Sequence, residues 1–127
     1  MANRYWVGDS GDWEDTGHWS DSSGGVPFAS VPTMEDDVFF DENSFTIPDQ
    51  IILSDYIEGL PTPTCHDLDF TGVTNNPVLK IDAPYRMNIY GSVTLVPEMD
   101  IYYPILFACL ATTTGNTFTS AGFGPDL

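Results

Sequence analysis

Apolar and polar residues alternate along much of the chain with the period of two that marks a β-strand, rather than with helical spacing. From residue 45 onward, short alternating runs recur at intervals of about 10–14 residues, which fits a sandwich, a barrel or a solenoid. Turn-forming residues separate these runs, and no longer window keeps a helical spacing free of proline and glycine. The pattern therefore predicts an all-β protein.

Two runs show the alternation most clearly. In residues 66–71, Leu68 and Phe70 point to one side and Asp67 and Asp69 to the other. Residues 87–95 form the clearest strand. We predict that a core is built from the inward side chains of these and neighbouring runs, which are Leu68, Phe70, Leu79, Ile81, Ile89, Val93 and Leu95.

The composition supports one small β domain. Hydrophobic residues make up 42% of the 127 residues, and the 10 prolines and 11 glycines argue against a helical bundle. Trp6, Trp13 and Trp19 lie in a loop-rich N-terminal segment. They form either a platform on which sugars stack or the closure of one end of the core, and we favour the closure because loops alone bury little surface.

The charge is strongly acidic. The chain has 19 acidic and 3 basic residues, a formal net charge of −16. Such a charge repels phosphates and anionic lipid, so we expect no nucleic-acid partner, and no apolar run is long enough for membrane insertion. The charge suits solubility, a calcium-rich medium or a basic protein partner. No apolar segment of the signal-peptide type follows Met1, so we expect cytoplasmic synthesis and release by another route.

An ordered series of short motifs resembles a known group of proteins. The series includes Arg4-Tyr5-Trp6-Val7-Gly8, Ser10-Gly11-Asp12-Trp13, His18-Trp19-Ser20, Asp36-Asp37-Val38-Phe39-Phe40-Asp41, Leu68-Asp69-Phe70-Thr71-Gly72 and Thr113-Thr114-Gly115. It resembles the N-terminal module of right-handed parallel β-helix proteins from phage virions and bacterial surfaces. The resemblance implies a right-handed parallel β-helix (solenoid) with an N-terminal Trp-rich cap. The cap or attachment segment spans residues 1–45, and the β-helix coils span residues 46–127 in one continuous domain.

The same resemblance implies a function. We expect a non-enzymatic virion structural protein, such as a phage tail fibre, spike, head fibre or decoration component. It would attach to other virion structural proteins, form a homo-oligomer and be located in the virion. One alternative is a bacterial surface adhesin or glycan-binding module, extracellular or at the cell surface, that binds a host surface glycan through exposed aromatic residues. These are Tyr56, Tyr85, Tyr90, Tyr102 and Tyr103. A further alternative is a polysaccharide-degrading tailspike fragment.

Two features depart from that group. Its members are usually much longer, and residues 123–127 do not look like a capped solenoid end, so we expect a chain that docks onto another protein or a fragment. Residues 101–107 are also bulkier than a single coil needs, which indicates an interface.

Candidate catalytic chemistry is limited to one pair of acids. Asp67 and Asp69 would lie about 6.6 Å apart on one strand face, near the carboxylate separation of inverting glycosidases. No neighbouring residue separates their pKa values, and paired acids are common on solvated strands. We therefore predict no catalytic residue and no enzymatic activity.

Candidate metal ligands form two acidic sets, and calcium is the one cofactor considered. The sets are Asp9, Asp12, Glu14 and Asp15, and Asp36, Asp37, Asp41 and Glu42. Neither has EF-hand spacing, and aspartates in turns usually cap backbone amides, so we predict no metal site and no cofactor. His18 and His66 lack a zinc-spaced partner, and we expect His66 to be a hydrogen-bonded core residue. Cys65 and Cys109 are expected to be free, mostly buried thiols.

Overall fold

The computed structural model describes residues 2–54, 62–81, 86–102, 105–112 and 114–121. Within these ranges the chain forms thirteen short strands and a single 3₁₀ turn at Thr16–His18, so the predicted all-β class is confirmed. The strands are β1 (Asn3–Trp6), β2 (Gly11–Asp12), β3 (Trp19–Ser20), β4 (Asp37–Phe39), β5 (Ile51–Ser54), β6 (Thr64–Cys65), β7 (Leu68–Asp69), β8 (Val78–Ile81), β9 (Arg86–Ile89), β10 (Val93–Thr94), β11 (Asp100–Tyr102), β12 (Leu106–Cys109) and β13 (Phe118–Thr119). None of the helical structure described is long and apolar enough to cross a membrane.

The strands form three sheets. A six-stranded sheet has the order β13-β10-β7-β4-β1-β3, a four-stranded sheet the order β11-β8-β5-β2, and a three-stranded sheet the order β12-β9-β6. Neighbouring strands are parallel throughout the described residues, except that β3 lies antiparallel to β1. Strands that are distant in sequence therefore lie side by side, and most sheet contacts are long-range.

The prediction of a right-handed parallel β-helix with coils over residues 46–127 is wrong. The largest sheet is mixed, because the chain reverses through the 3₁₀ turn and brings Trp19 opposite Trp6 in an antiparallel pair. The described residues form three separate sheets and no closed solenoid. The division of the chain at residues 45 and 46 stays a prediction; β2 and β4 from the first segment pair with β5 and β7 from the second.

One hydrophobic core joins the three sheets. The seven side chains predicted to point inward are all buried, which confirms the alternation from which they were predicted. The phenyl rings of Phe40 and Phe70 stack inside this core with their centroids 4.4 Å apart. Every described strand is short, so packing in this shared core stabilises the sheets more than the individual ladders do.

The three tryptophans are core residues. Trp6, Trp13 and Trp19 are at most 1% exposed, so they form no open stacking platform and pack inside the core. That they close one end of the core stays a prediction. The ring centroid of Trp19 lies 5.1 Å from that of Trp6 and 4.8 Å from that of Trp13, both edge to face. Such edge-to-face pairs are favourable because the positive edge of one ring meets the negative face of the next.

The strand predicted over residues 87–95 is two strands with a bend between them. Met87 and Ile89 lie on β9 of the three-stranded sheet, whereas Val93 lies on β10 of the six-stranded sheet. The backbone N–H of Gly91 donates to His66 O at 2.7 Å within the bend. The apolar residues on both sides of the bend are still buried, because the bend keeps them facing the same core.

Candidate functional site

The structure places Asp67 and Asp69 in separate hydrogen-bond networks. Asp67 Oδ1 accepts the backbone N–H of Ser92 at 2.7 Å, and Asp69 Oδ1 accepts that of Thr71 at 2.8 Å. Each carboxylate therefore caps a backbone amide where a strand meets a turn. The hydrogen bonds give both acids a structural role, and the absence of enzymatic activity stays a prediction.

The acids of the first candidate calcium set form separate hydrogen bonds with different partners. Asp9 accepts the N–H and the hydroxyl of Thr46, and Asp15 Oδ1 accepts the N–H of Gly17 at the start of the 3₁₀ turn. Glu14 Oε1 accepts the hydroxyl of Ser54 at 2.7 Å. The N–H of Thr46 lowers the pKa of the Asp9 carboxyl, because a hydrogen bond to the charged form stabilises that form.

The second candidate set caps local turns in the same way. Asp36 Oδ2 accepts the N–H of Thr33 at 2.8 Å, and Asp41 Oδ1 accepts the N–H of Asn43 at 3.0 Å. Among the described residues, neither predicted set forms a group of three or more ligands close enough to share an ion. One member, Asp37, belongs instead to a different group.

Asp37, His66 and Asp67 form a cluster that was not predicted. The imidazole Nδ1 of His66 lies 2.8 Å from Asp37 Oδ1 and 3.3 Å from Asp67 Oδ1. An ionised carboxylate can only accept, so Nδ1 carries the proton and donates it. His66 is half-buried, so the expectation of a core histidine is wrong, although the expected hydrogen bond is present.

The cluster could hold a divalent cation only under restrictive conditions. The Nδ1 proton of His66 would have to be displaced, since a metal ligand must offer a lone pair. Both carboxylates are also engaged by the backbone: Asp37 Oδ1 accepts the N–H of Asp67, and Asp67 Oδ1 accepts the N–H of Ser92. The Nδ1 and Oδ1 atoms of the cluster are therefore hydrogen-bonded by protein groups without an ion. We infer that the cluster stabilises the sheet.

The two aspartates belong to a polar ladder that follows the six-stranded sheet. Asp37 accepts the N–H of Asp67, Asp67 accepts the N–H of Ser92, and Ser92 Oγ accepts the N–H of Thr117 at 3.0 Å. These four residues precede the mutually paired positions on β4, β7, β10 and β13. The ladder therefore connects the N-terminal end of each of these strands to that of the neighbouring strand in the sheet.

The other single-residue predictions have mixed outcomes. His18 is structural: its ring stacks on Trp6 with centroids 4.7 Å apart, and its Nδ1 lies 2.7 Å from Val7 O. Cys65 and Cys109 are both free thiols, but only Cys65 is buried and Cys109 is exposed. Burial raises the pKa of the Cys65 thiol well above its usual value, and the Asp67 and Asp37 carboxylates raise it further.

The predicted aromatic binding residues do not form one described surface. Tyr102 is 61% exposed and lies under the ammonium of Lys80, 5.4 Å from the ring centroid. Tyr90 is half-buried and lines a cavity. Tyr56, Tyr85 and Tyr103 lie outside the described residues.

That cavity has a volume of about 270 Å³ and opens to solvent. Its walls are largely apolar, with one acidic group and several hydroxyl groups. The residues that characterise it are Trp13, Glu14, Pro32, Met34, Pro63 and Tyr90. Chain segments that are distant in sequence meet here, so no local motif could have predicted the cavity.

Comparisons with known proteins do not assign a function to this chain. No protein-family model matches the chain, and neither the search of curated proteins nor the search of solved structures found a match.

Proposed function

We propose that this chain is a non-enzymatic structural protein of a virus particle that attaches to a neighbouring virion protein through the edge strands β11, β12 and β13. We define these three strands as the late edge. The proposal combines the resemblance of the N-terminal motifs with one structural observation, the exposed and nearly uncharged character of the late edge. A bacterial surface adhesin or glycan-binding module is the second candidate, favoured by the cavity lined by Trp13 and Tyr90.

The late edge supports the proposal because it carries few of the charged side chains that usually protect a sheet edge. Each of its strands is last in its sheet, so alternate backbone groups have no ladder partner among the described strands. Proteins commonly protect such edges with charged side chains, especially lysine, or with very short strands. Asp100 is the one charged residue in these three strands, and β12 is four residues long.

The opposite edges are shorter in two of the three sheets, where β2 and β6 lie opposite β11 and β12, and in the six-stranded sheet β3 and β13 are equally short. The strands β2, β3 and β6 have two residues each, and β3 runs antiparallel with both of its side chains buried. The late edge also exposes large apolar side chains, with Phe118 41% and Tyr102 61% exposed. An added strand would pair with the backbone and cover these side chains, which is a common mode of protein recognition.

The charge of the chain favours a basic partner. With a net charge of −16, two copies repel each other at long range, whereas a basic protein is attracted and steered toward the chain. A homo-oligomer stays a prediction. We propose a partner protein that adds a strand to the late edge and carries lysine or arginine residues beside that strand.

Immunogold electron microscopy of a producing culture tests the location. Antibody raised against the chain should label released particles at one fixed place, and pre-immune antibody should not. Label on cell envelopes with none on particles would overturn the virion proposal and favour the surface module.

A proline substitution tests the attachment edge. Leu110 N–H donates to Ile89 O at 2.7 Å, so the N–H of the preceding Cys109 points away from β9, toward the outside of the late edge. Cys109→Pro removes that outward donor, and Cys109→Ser is the matched control that keeps it. We expect particles from a Cys109→Pro culture to lose the label and particles from a Cys109→Ser culture to keep it. Equal labelling of the two would contradict docking through this edge.

A further inference from the structure

The indole N–H of Trp13 differs from those of the other two tryptophans. Trp6 donates its indole N–H to Asp9 O at 2.8 Å, and Trp19 donates to Trp13 O at 2.7 Å. The indole N–H of Trp13 is buried and has no hydrogen-bond partner among the described residues. A buried donor without a partner destabilises the fold, so such a donor is a place where a bound acceptor is favoured.

Trp13 is also one of the residues that line the cavity of about 270 Å³. The unpartnered donor and the cavity are independent observations on the same side chain. Trp13 is only 1% exposed, so its N–H is sealed by the surrounding groups in this structure. Met34 is the lining side chain best able to move, because it is 50% exposed and unbranched.

Three other polar side chains of the cavity, those of Glu14, Thr33 and Thr64, can act as acceptors. Glu14 accepts one hydroxyl, that of Ser54, and a carboxylate can accept several more hydrogen bonds. Thr33 and Thr64 also line the cavity, and their hydroxyls already donate, to Asp36 and to Thr62 O, so each can still accept, although Thr33 Oγ1 already accepts the N–H of Glu35 at 3.4 Å. A matching ligand therefore needs several hydroxyl donors and at least one acceptor.

The apolar walls restrict the ligand further. Tyr90, Pro32 and Pro63 offer rings and flat aliphatic surface, against which the C–H face of a sugar packs. The cavity is near the lower limit of small-molecule sites, about 300 Å³, which suits one sugar ring rather than a longer segment. The carboxylate of Glu14 and the net charge of −16 disfavour an acidic sugar.

We propose that this cavity binds one neutral hexose unit of a glycan. The Trp13 N–H donates to a sugar oxygen, Glu14 accepts a sugar hydroxyl, and Tyr90 packs against the ring. Binding requires a local rearrangement that uncovers the buried indole N–H, and Met34 is the lining side chain best able to move. The site is independent of the late edge, so it applies to a virion protein and to a surface module alike.

Nuclear magnetic resonance on ¹⁵N-labelled protein tests the site directly. The chain has three tryptophans, so the indole region holds three N–H signals that can be assigned individually. We expect titration with glucose, galactose, mannose or N-acetylglucosamine, at millimolar concentrations, to shift the Trp13 indole signal saturably for at least one sugar. The Trp6 and Trp19 signals should move far less, because their donors are already paired. The absence of any saturable Trp13 shift across these four sugars would overturn the proposal.

A matched pair of variants tests the role of the carboxylate. Glu14→Gln keeps the shape and an acceptor for Ser54 but removes the charge, and we expect sugar affinity to fall about tenfold because charge-assisted hydrogen bonds are about twice as strong. Glu42→Gln removes an exposed acid outside the cavity lining and should leave the affinity unchanged. Three dispersed indole signals report that each variant has folded. Equal affinities in the two variants would refute the role of Glu14, whereas a failed labelling of particles would concern only the virion location.

Discussion

Phe40 and Phe70 stack almost parallel in the core, with an interplanar angle of 5° and centroids 4.4 Å apart. Each follows a paired position of β4 and β7, and the N–H of Phe40 donates to Asp69 O at 2.9 Å. The two rings therefore connect neighbouring strands that come from chain segments 30 residues apart, since 70 − 40 = 30.

We predict that Phe70→Leu lowers the free energy of unfolding by about 1–3 kcal/mol. The variant loses the aromatic pair, worth about 0.5–1.5 kcal/mol, and leaves unfilled volume in a close-packed core. Phe28→Leu is the matched control, because Phe28 is 75% exposed and a surface change usually lies within about 0.5 kcal/mol. Urea unfolding of both variants measures the difference. A Phe70→Leu protein as stable as the control would show that the stack contributes nothing.

The buried residues were predictable because alternation is a local signal. Leu68 and Phe70 face the core and Asp69 is half-buried, as the period of two requires. The position of His66 was not predictable from the same rule. A bend lies between β6 and β7, so the alternation does not carry across from Cys65 to Leu68, and His66 turns toward Asp37 instead of the core.

The architecture and the cluster depend on pairings between distant residues. To predict the mixed sheet, one would have to know that β3 pairs with β1 in the antiparallel direction, and no local sequence pattern indicates that pairing. The polar ladder did leave a signal that went unused: a polar residue precedes the apolar residue at Val38, Leu68, Val93 and Phe118. Aligning these four positions would have brought Asp37 beside Asp67. The cavity left no such signal, because its lining comes from segments that are far apart in the sequence.

Gly91→Ala should destabilise the protein by about 1–3 kcal/mol, because it forces a group into a filled space. A Cβ atom at position 91 would lie 2.1 Å from Asp67 Oδ1 and 2.8 Å from His66 Nδ1. Asp67 cannot move freely, since its Oδ1 is bonded to the N–H of Ser92. Gly17→Ala is a milder control, as its nearest contact would be 3.1 Å, to Asp15 Oδ1.

Thermal unfolding measures the cost of both glycine substitutions. The Gly91→Ala penalty should shrink in an Asp67→Ser background, where the shorter side chain leaves room for the Cβ. If Gly91→Ala matches Gly17→Ala in stability, the close packing around the cluster is not a constraint.

The carboxyl of Asp9 should make folding sensitive to acid. Because the N–H of Thr46 lowers its pKa in the folded protein, Asp9 contributes stability that is fully present above the unfolded pKa, near 3.8. This contribution is lost as the pH falls through the lower folded pKa. Asp9→Asn removes the titration and tolerates the positive φ of 64° at this position.

We expect the melting temperature of Asp9→Asn to lie a few degrees below that of the parent at neutral pH. The gap should stay constant down to about pH 4 and then close as the pH falls further. Thermal scans from pH 7 to pH 2 measure the gap. A gap that is independent of pH would show that the Asp9 charge has no role in the contact with Thr46.

The two cysteines should differ completely in reactivity. A thiol reacts as the thiolate, and burial both shields Cys65 and raises its pKa well above the usual value, whereas Cys109 is exposed at the late edge. Titration of the folded protein with a thiol-specific chromogenic disulfide should therefore modify one thiol per chain, and titration in guanidinium chloride should modify two. Cys109→Ser should reduce the folded value to zero, and Cys65→Ser should leave it at one. Two fast-reacting thiols in the folded parent would mean that the core around Cys65 opens readily, which is incompatible with the packing of β6 against β9.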